Sequence, residues 1–299
     1  MPSKFTTSLK APPRERMKLW VGQLFSPRAT ARWLNFVQSH EVLLPYAARF
    51  PRLITRIYRP YAFRPMHCGQ RVDLMIGHYH WLERLGLSAL LAQSVDKGWT
   101  LAEVETKSGE KTTLQLHAIH DGHREGEMSL QLHWGDDFLF TLNFVLIDHA
   151  GGCGLLITRL QGKLNEDGRE KIRLATKSMY GMRPTILLLQ AARQLAHSAG
   201  CVQVLLVSNQ QRVALNPMRR FRIKADNEGL WKDLGAAQQT DGFFSISPQV
   251  VVPQDFSDVA SNKRAEAKRK AALTASFLAS LANSVECCRQ ACTAGAQTI

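Results

Sequence analysis

Apolar positions change their spacing several times along this chain, and each change predicts a different kind of element. Residues 14–64 carry aromatic and aliphatic side chains at helical spacing, repeatedly interrupted by proline. That pattern predicts short helices, with segments over 29–37 and 42–58. Across 71–85, Leu74, His78, Leu82 and Leu85 recur on one helical face, which predicts a helix that turns His78 inward. Beyond residue 110 the period falls to two. Stretches at 112–119, 128–134 and 138–147 are predicted as strands joined by polar turns, an antiparallel meander.

After Gly151 and Gly152 the order becomes strand, helix, strand. Residues 155–160 are predicted as a strand and 168–180 as a helix closed by Gly181; Pro184 opens a second helix that runs through Leu195. The nearly unbroken apolar run 201–207 has the length of a strand covered on both faces. Two strands joined by a long helical crossover are expected to lie parallel and adjacent. A loop through Lys224, a short helix at 227–234 and a last strand at 242–247 follow. An Ala-rich amphipathic helix is expected at 258–282, and no structure over the last fifteen residues.

The expected class is therefore α/β, or α+β. A basic, mainly helical region spans 1–100, a mixed α/β unit 101–250, a basic terminal helix 251–283 and a tail 284–299.

Composition is that of a globular chain, 45% hydrophobic and 21% charged, so a packed core is expected. No run approaches the roughly 18 consecutive apolar residues of a membrane span, and none is expected to cross a bilayer. The first sixteen residues hold no continuous apolar segment, so a cytoplasmic address is expected. The scattered cysteines, three of them crowded at 287–292, fit a reduced compartment. Net charge is +13 and sits at the ends: residues 1–71 carry thirteen Lys and Arg against two acids. Such a field steers a protein toward anionic membrane, an acidic protein partner or nucleic acid, and equally describes a solvated face.

Several strings are shared with one family. They are Arg59-Pro60-Tyr61, Arg71 with His78-Tyr79, Leu160-Gln161-Gly162, Ala175-Thr176-Lys177 with Tyr180-Gly181-Met182-Arg183-Pro184, Val207-Ser208-Asn209, and Leu230-Trp231 with Leu234-Gly235. Through them the chain resembles the VirK/YbjX family of Gram-negative bacterial proteins over roughly residues 50–250. The resemblance implies a cytoplasmic protein associated with virulence and with tolerance of host antimicrobial defences, and it implies no particular reaction. Where relatives carry Tyr-Asp ahead of the tryptophan, this chain has Ala225-Asp226.

The element order from the meander to the last strand also resembles the GNAT acyltransferase fold. That likeness implies coenzyme A or an acyl-CoA held by its diphosphate at the loop after the first parallel strand, where a helix start presents free N–H groups. Gln161-Gly162-Lys163 stands there without the second, spaced glycine of such a loop.

Candidate chemistry follows from these placements. Ligands in open α/β sheets collect beyond the carboxyl ends of parallel strands, here marked by Gln161, Gly162, Ser208 and Asn209. Arg169, Arg173 and Lys177 recur along one helix face with Arg183 just beyond, either as an anion site or as cations meeting the helix dipole. His78 and Tyr79 are acid–base candidates, with a hydrogen-bonded core histidine as the competing account, and Asn209 is the third catalytic candidate. No His or Cys set has zinc-ligand spacing, and the hydrolase elbow, the phosphate-binding loop and the dinucleotide fingerprint are all missing. Acyl transfer and a non-enzymatic adaptor that binds membrane or protein through the basic ends are the two functions carried forward.

Overall fold

The computed structural model describes residues 11–95, 97–118, 124–163, 165–213 and 227–296, with side chains described as far as Ala291. Helices come first. Pro13 and Pro27 occupy the first turns of α1 (Pro13–Phe25) and α2 (Pro27–Ser39), where the missing N–H costs nothing. Two short helices follow, α3 (Leu43–Arg49) and α4 (Arg52–Thr55), and then a single 3-10 turn at Arg56–Tyr58.

Helix α5 (Cys68–Arg84) opens with a capping box in which the His67 ring accepts from the Gln70 N–H and the Gln70 side chain accepts from the His67 N–H. Its inward face is Val72, Met75, His78, Tyr79 and Leu82, turned slightly from the predicted stripe, so that Leu74 is only half-buried. Helix α6 (Ser88–Ser94) leads into the sheet.

Among the described residues eight strands, numbered along the chain, form one mixed sheet in the order β1-β2-β3-β4-β5-β6-β8-β7. Strands β1 (Trp99–Glu105), β2 (Lys111–Ala118), β3 (Met128–Trp134), β4 (Asp137–His149) and β5 (Gly152–Gly162) are the antiparallel meander, with β1 added at an edge that sequence periodicity did not mark. Helices α7 (Glu166–Ser178) and α8 (Pro184–Ala199) make the crossover to β6 (Gln203–Leu206), and Gly200 closes α8 in the left-handed region at φ 82°. Strand β6 pairs parallel to β5 over Gly154–Ile157 and Gln203–Leu206. Helix α9 (Asn227–Asp233) and strands β7 (Ala237–Gln238) and β8 (Phe244–Ile246) complete the sheet.

The terminal helix α10 runs from Ser261 to Ala296, through much of the segment expected to lack structure. The reason is packing: Val285 and Cys288 continue the buried stripe of Leu273, Phe277 and Leu281, and Arg289 donates to the carbonyls of Leu85 and Ser198. Over Ser261–Ala291 this helix is long and apolar enough to cross a membrane by length and composition, but its stripe packs against α6, α8 and β1. One hydrophobic core runs from Trp33 in α2 through the sheet to Phe277 in α10.

Candidate ligand groove and a buried ion pair

Two polar sites stand out, one sealed and one open. The sealed site lies where α5 packs on β4. Glu127, just ahead of β3, is fully buried and accepts hydrogen bonds from the Arg56 guanidinium and from the hydroxyls of Tyr61 and Tyr79. Gly126 makes this approach feasible, since at φ 132° a side chain there would put its Cβ 2.6 Å from the Phe144 carbonyl oxygen. Burial opposes the charge of Arg56, but the Glu127 carboxylate outweighs it and raises the guanidinium pKa. Burial, reinforced by Glu127, pushes both phenols well above their ordinary value.

His78 borders the same site. Its Nδ1 accepts the Leu146 N–H at 3.0 Å, which places the proton on Nε2, and burial lowers its pKa to about 4. The two acid–base candidates are both closed off from solvent: the Tyr79 hydroxyl donates to Glu127 and His78 Nδ1 accepts from Leu146, while His78 Nε2 is buried with no hydrogen-bond partner among the described residues.

The open site is a groove of about 440 Å³ on the polar face of β2–β5. Strand alternation puts polar side chains on this face, and register aligns them into two rows. One row reads His117, Ser129, Asn143, Arg159 across four strands, and the next reads Gln115, Gln131, Thr141, Gln161. A bulge at Thr158 shifts the β4–β5 register between Asn143 and Phe144, and the Thr158 hydroxyl donates to the Asn143 carbonyl at 3.1 Å. Asn143 and Ser129 are buried at the floor. Gly98 lets the His117 and Gln115 side chains sit at one rim, because a Cβ at residue 98 would come within 2.4 Å of the imidazole.

Electrostatically the described lining is one-sided: Lys97, Arg159 and Lys163 contribute cations, and among the described residues no carboxylate lines the groove. Glu125 pairs with Arg159 just outside it. The buried Arg212 is close enough to feel both, its pKa pulled down by burial, restored in part by Glu125 and lowered further by Arg159. Ligand pockets of roughly this size hold small molecules through a few convergent polar groups.

The other predicted site residues are dispersed. Gln161 and Gly162 line the groove, although the glycine is needed beneath the Phe140 ring, 2.4 Å from where a Cβ would stand. Ser208 and Asn209 hold the turn after β6: the Ser208 hydroxyl meets Gln211 at 3.2 Å, and Asn209 bonds Glu228 and the Asn227 N–H at the start of α9. Arg169, Arg173 and Lys177 are exposed on α7, with Arg173 held by Glu170 at 2.6 Å. Arg183 belongs to a separate cavity beside α10.

The diphosphate site expected at the start of α7 does not fit. The Asn165 side chain already accepts the Gly168 N–H at 3.0 Å, Glu166 and Asp167 fill the first turn with negative charge, and Lys163 is paired to Asp167 at 3.2 Å. No group of three or more metal-ligating side chains occurs among the described residues, and Ala225-Asp226 lies outside them.

What sequence reasoning missed was Arg56, Glu127 and the two-row floor. The one available signal for the ion pair was the scarcity of acids in residues 1–71, which leaves any inward-turned arginine to find its partner elsewhere.

The fold and sites describe a mixed α/β protein with a preformed, cation-lined polar groove. Comparison with known proteins places it further: residues 10–283 match the family described as protein of unknown function DUF535, and the chain belongs to this family, the VirK/YbjX family. It is 27% identical over 260 residues to the uncharacterized protein YbjX of Escherichia coli (strain K12), covering 85% of this chain and 78% of that one. An uncharacterized protein of Haemophilus influenzae (strain ATCC 51907 / DSM 11121 / KW20 / Rd) is 21% identical over 168 residues, 56% of each chain. No solved structure matches.

Proposed function

We propose that the protein binds a small, polar, anionic ligand in the groove on β2–β5. The observation that carries this reading is the lining itself, two aligned rows of amide, hydroxyl and imidazole side chains with three cations and, among the described residues, no carboxylate. Amides and hydroxyls supply directional donors and acceptors, while Arg159 and its flanking lysines supply the charge. The ligand class that best joins this lining to the strand order is an acyl-CoA-type donor, and the corresponding activity is acyl transfer to an amine. On this reading the donor's phosphates meet Lys97 and Arg159, whereas the capped, acidic start of α7, with Lys163 paired to Asp167, takes no part.

His78, Tyr79 and Asn209 act as positioning residues: the first holds β4 against α5, the second ties α5 to Glu127 ahead of β3, and the third holds the start of α9. In the cell, we place the protein in the cytoplasm as an accessory factor for envelope function and for resistance to host antimicrobial defences, as the family resemblance implies.

A thermal-shift panel of coenzyme A, acyl-CoAs and nucleotides tests the ligand class. At a hundredfold excess over Kd, a ligand that binds only the native state adds about 2.7 kcal/mol, roughly 5 °C or more in a chain of this size. A shift with acyl-CoA that Lys97→Ala and Arg159→Ala both reduce supports the reading; a shift indifferent to both removes the groove as the site.

A further inference from the structure

Nine large hydrophobic side chains are exposed among the described residues, and five of them sit on one 13-residue helix. Met17, Trp20, Val21, Leu24 and Phe25 follow the i, i+3, i+4, i+7, i+8 spacing of a single helical stripe, and exposures of 62%, 65%, 40%, 64% and 84% show that the stripe of α1 faces away from the core. The opposite face is the anchored one. Leu19 is buried, and Glu15 is buried with its carboxylate bonded to Thr55 and to Lys18. Burial works against that carboxylate, but the bonds from Lys18 and Thr55 prevail and keep its pKa below the ordinary range.

Charge frames the stripe. At about 100° per residue, Arg16 falls on one flank of the exposed face and Lys18 on the other, Arg14 continues the face itself toward the start of the helix, and Arg28 follows one residue into α2. The helix has one acid, Glu15, and it is turned inward. Beside the stripe lies a mostly apolar groove of about 710 Å³ bordered by Lys18, Arg59 and Arg71.

We propose that α1 docks this protein on an anionic lipid surface, lying in the headgroup plane with Met17, Trp20, Val21, Leu24 and Phe25 entering the acyl boundary. A convex apolar stripe with tryptophan and phenylalanine, edged on both flanks by cations and free of exposed acids, matches the chemistry of such a surface. This docking is independent of the sheet-face groove and does not rest on the ligand assigned there.

Co-sedimentation of the full chain with vesicles of phosphatidylglycerol and phosphatidylcholine in equal parts, against pure phosphatidylcholine, tests the proposal. The expected result is binding to the anionic vesicles that falls as salt rises, with little binding to the neutral ones. The variant Trp20→Ser/Leu24→Ser alters exposed positions only, so circular dichroism and melting should match the parent while binding weakens roughly tenfold or more. Arg14→Ala and Arg16→Ala should each weaken it roughly fivefold. Equal binding to both vesicle types, no binding by the parent, or undiminished binding by Trp20→Ser/Leu24→Ser would overturn the proposal. So would sedimentation velocity showing a dimer that this variant dissociates, which would assign the stripe to a second copy of the chain.

Discussion

Replacing Arg56 with methionine tests the role of the buried ion pair. The substitution keeps most of the aliphatic volume but strips Glu127 of its counter-charge, leaving only the Tyr61 and Tyr79 hydroxyls as donors. Breaking a buried pair by removing one partner typically costs 3–5 kcal/mol, or about 4 here.

Glu127→Gln strands the Arg56 guanidinium instead, which does not deprotonate, so its penalty should be of similar size. Urea unfolding at pH 7, accepted where fluorescence and circular dichroism transitions coincide, measures both. A penalty for Arg56→Met below about 1 kcal/mol would show that the pair does not hold this part of the core.

Further expectations follow from other residues. His78 is held neutral with a folded pKa near 4, below its unfolded value of 6.5, so the unfolded chain binds the extra proton between those limits. Stability from this group is complete above pH 6.5 and is lost as pH falls toward 4, at up to about 1.4 kcal/mol per unit; His78→Gln should flatten that slope in urea titrations across the window. Gly162→Ala drives a methyl into the Phe140 ring, so a loss of about 1–3 kcal/mol in unfolding free energy is expected, and an unchanged urea midpoint would deny the contact. Gly126→Ala must both adopt φ 132° and clear the Phe144 carbonyl, so it should destabilise more than Gly162→Ala in the same assay.

Much of the architecture was legible because it repeats locally. The alternation of Ser129, Leu130, Gln131 and Leu132 marks β3 and both of its faces, and the apolar run into β6 together with the intervening helices marks the parallel crossover. What periodicity does not carry is register. Gln131 and Thr141 each read as an outward polar residue, but only strand pairing aligns them with Gln161 into a groove floor. The Arg56–Glu127 pair spans 71 residues and follows no period at all, and the arginine lies in a segment where exposed cations were expected. The far end of α10 was missed because its last buried positions, Val285 and Cys288, stand among polar neighbours that read as a solvated tail. His78 was correctly turned inward by its helical face, yet a sequence pattern does not distinguish a core acceptor for the Leu146 N–H from a reactive base.

Calorimetric titration of the full chain with an acyl-CoA tests the groove most directly, comparing the parent with Arg159→Ala and Arg173→Ala. The expected result is binding that Arg159→Ala weakens roughly tenfold or more, as when a charge-assisted contact is lost, and that Arg173→Ala on the exterior of α7 leaves unchanged. Absence of binding by the parent, or a loss caused by Arg173→Ala and not by Arg159→Ala, would contradict it.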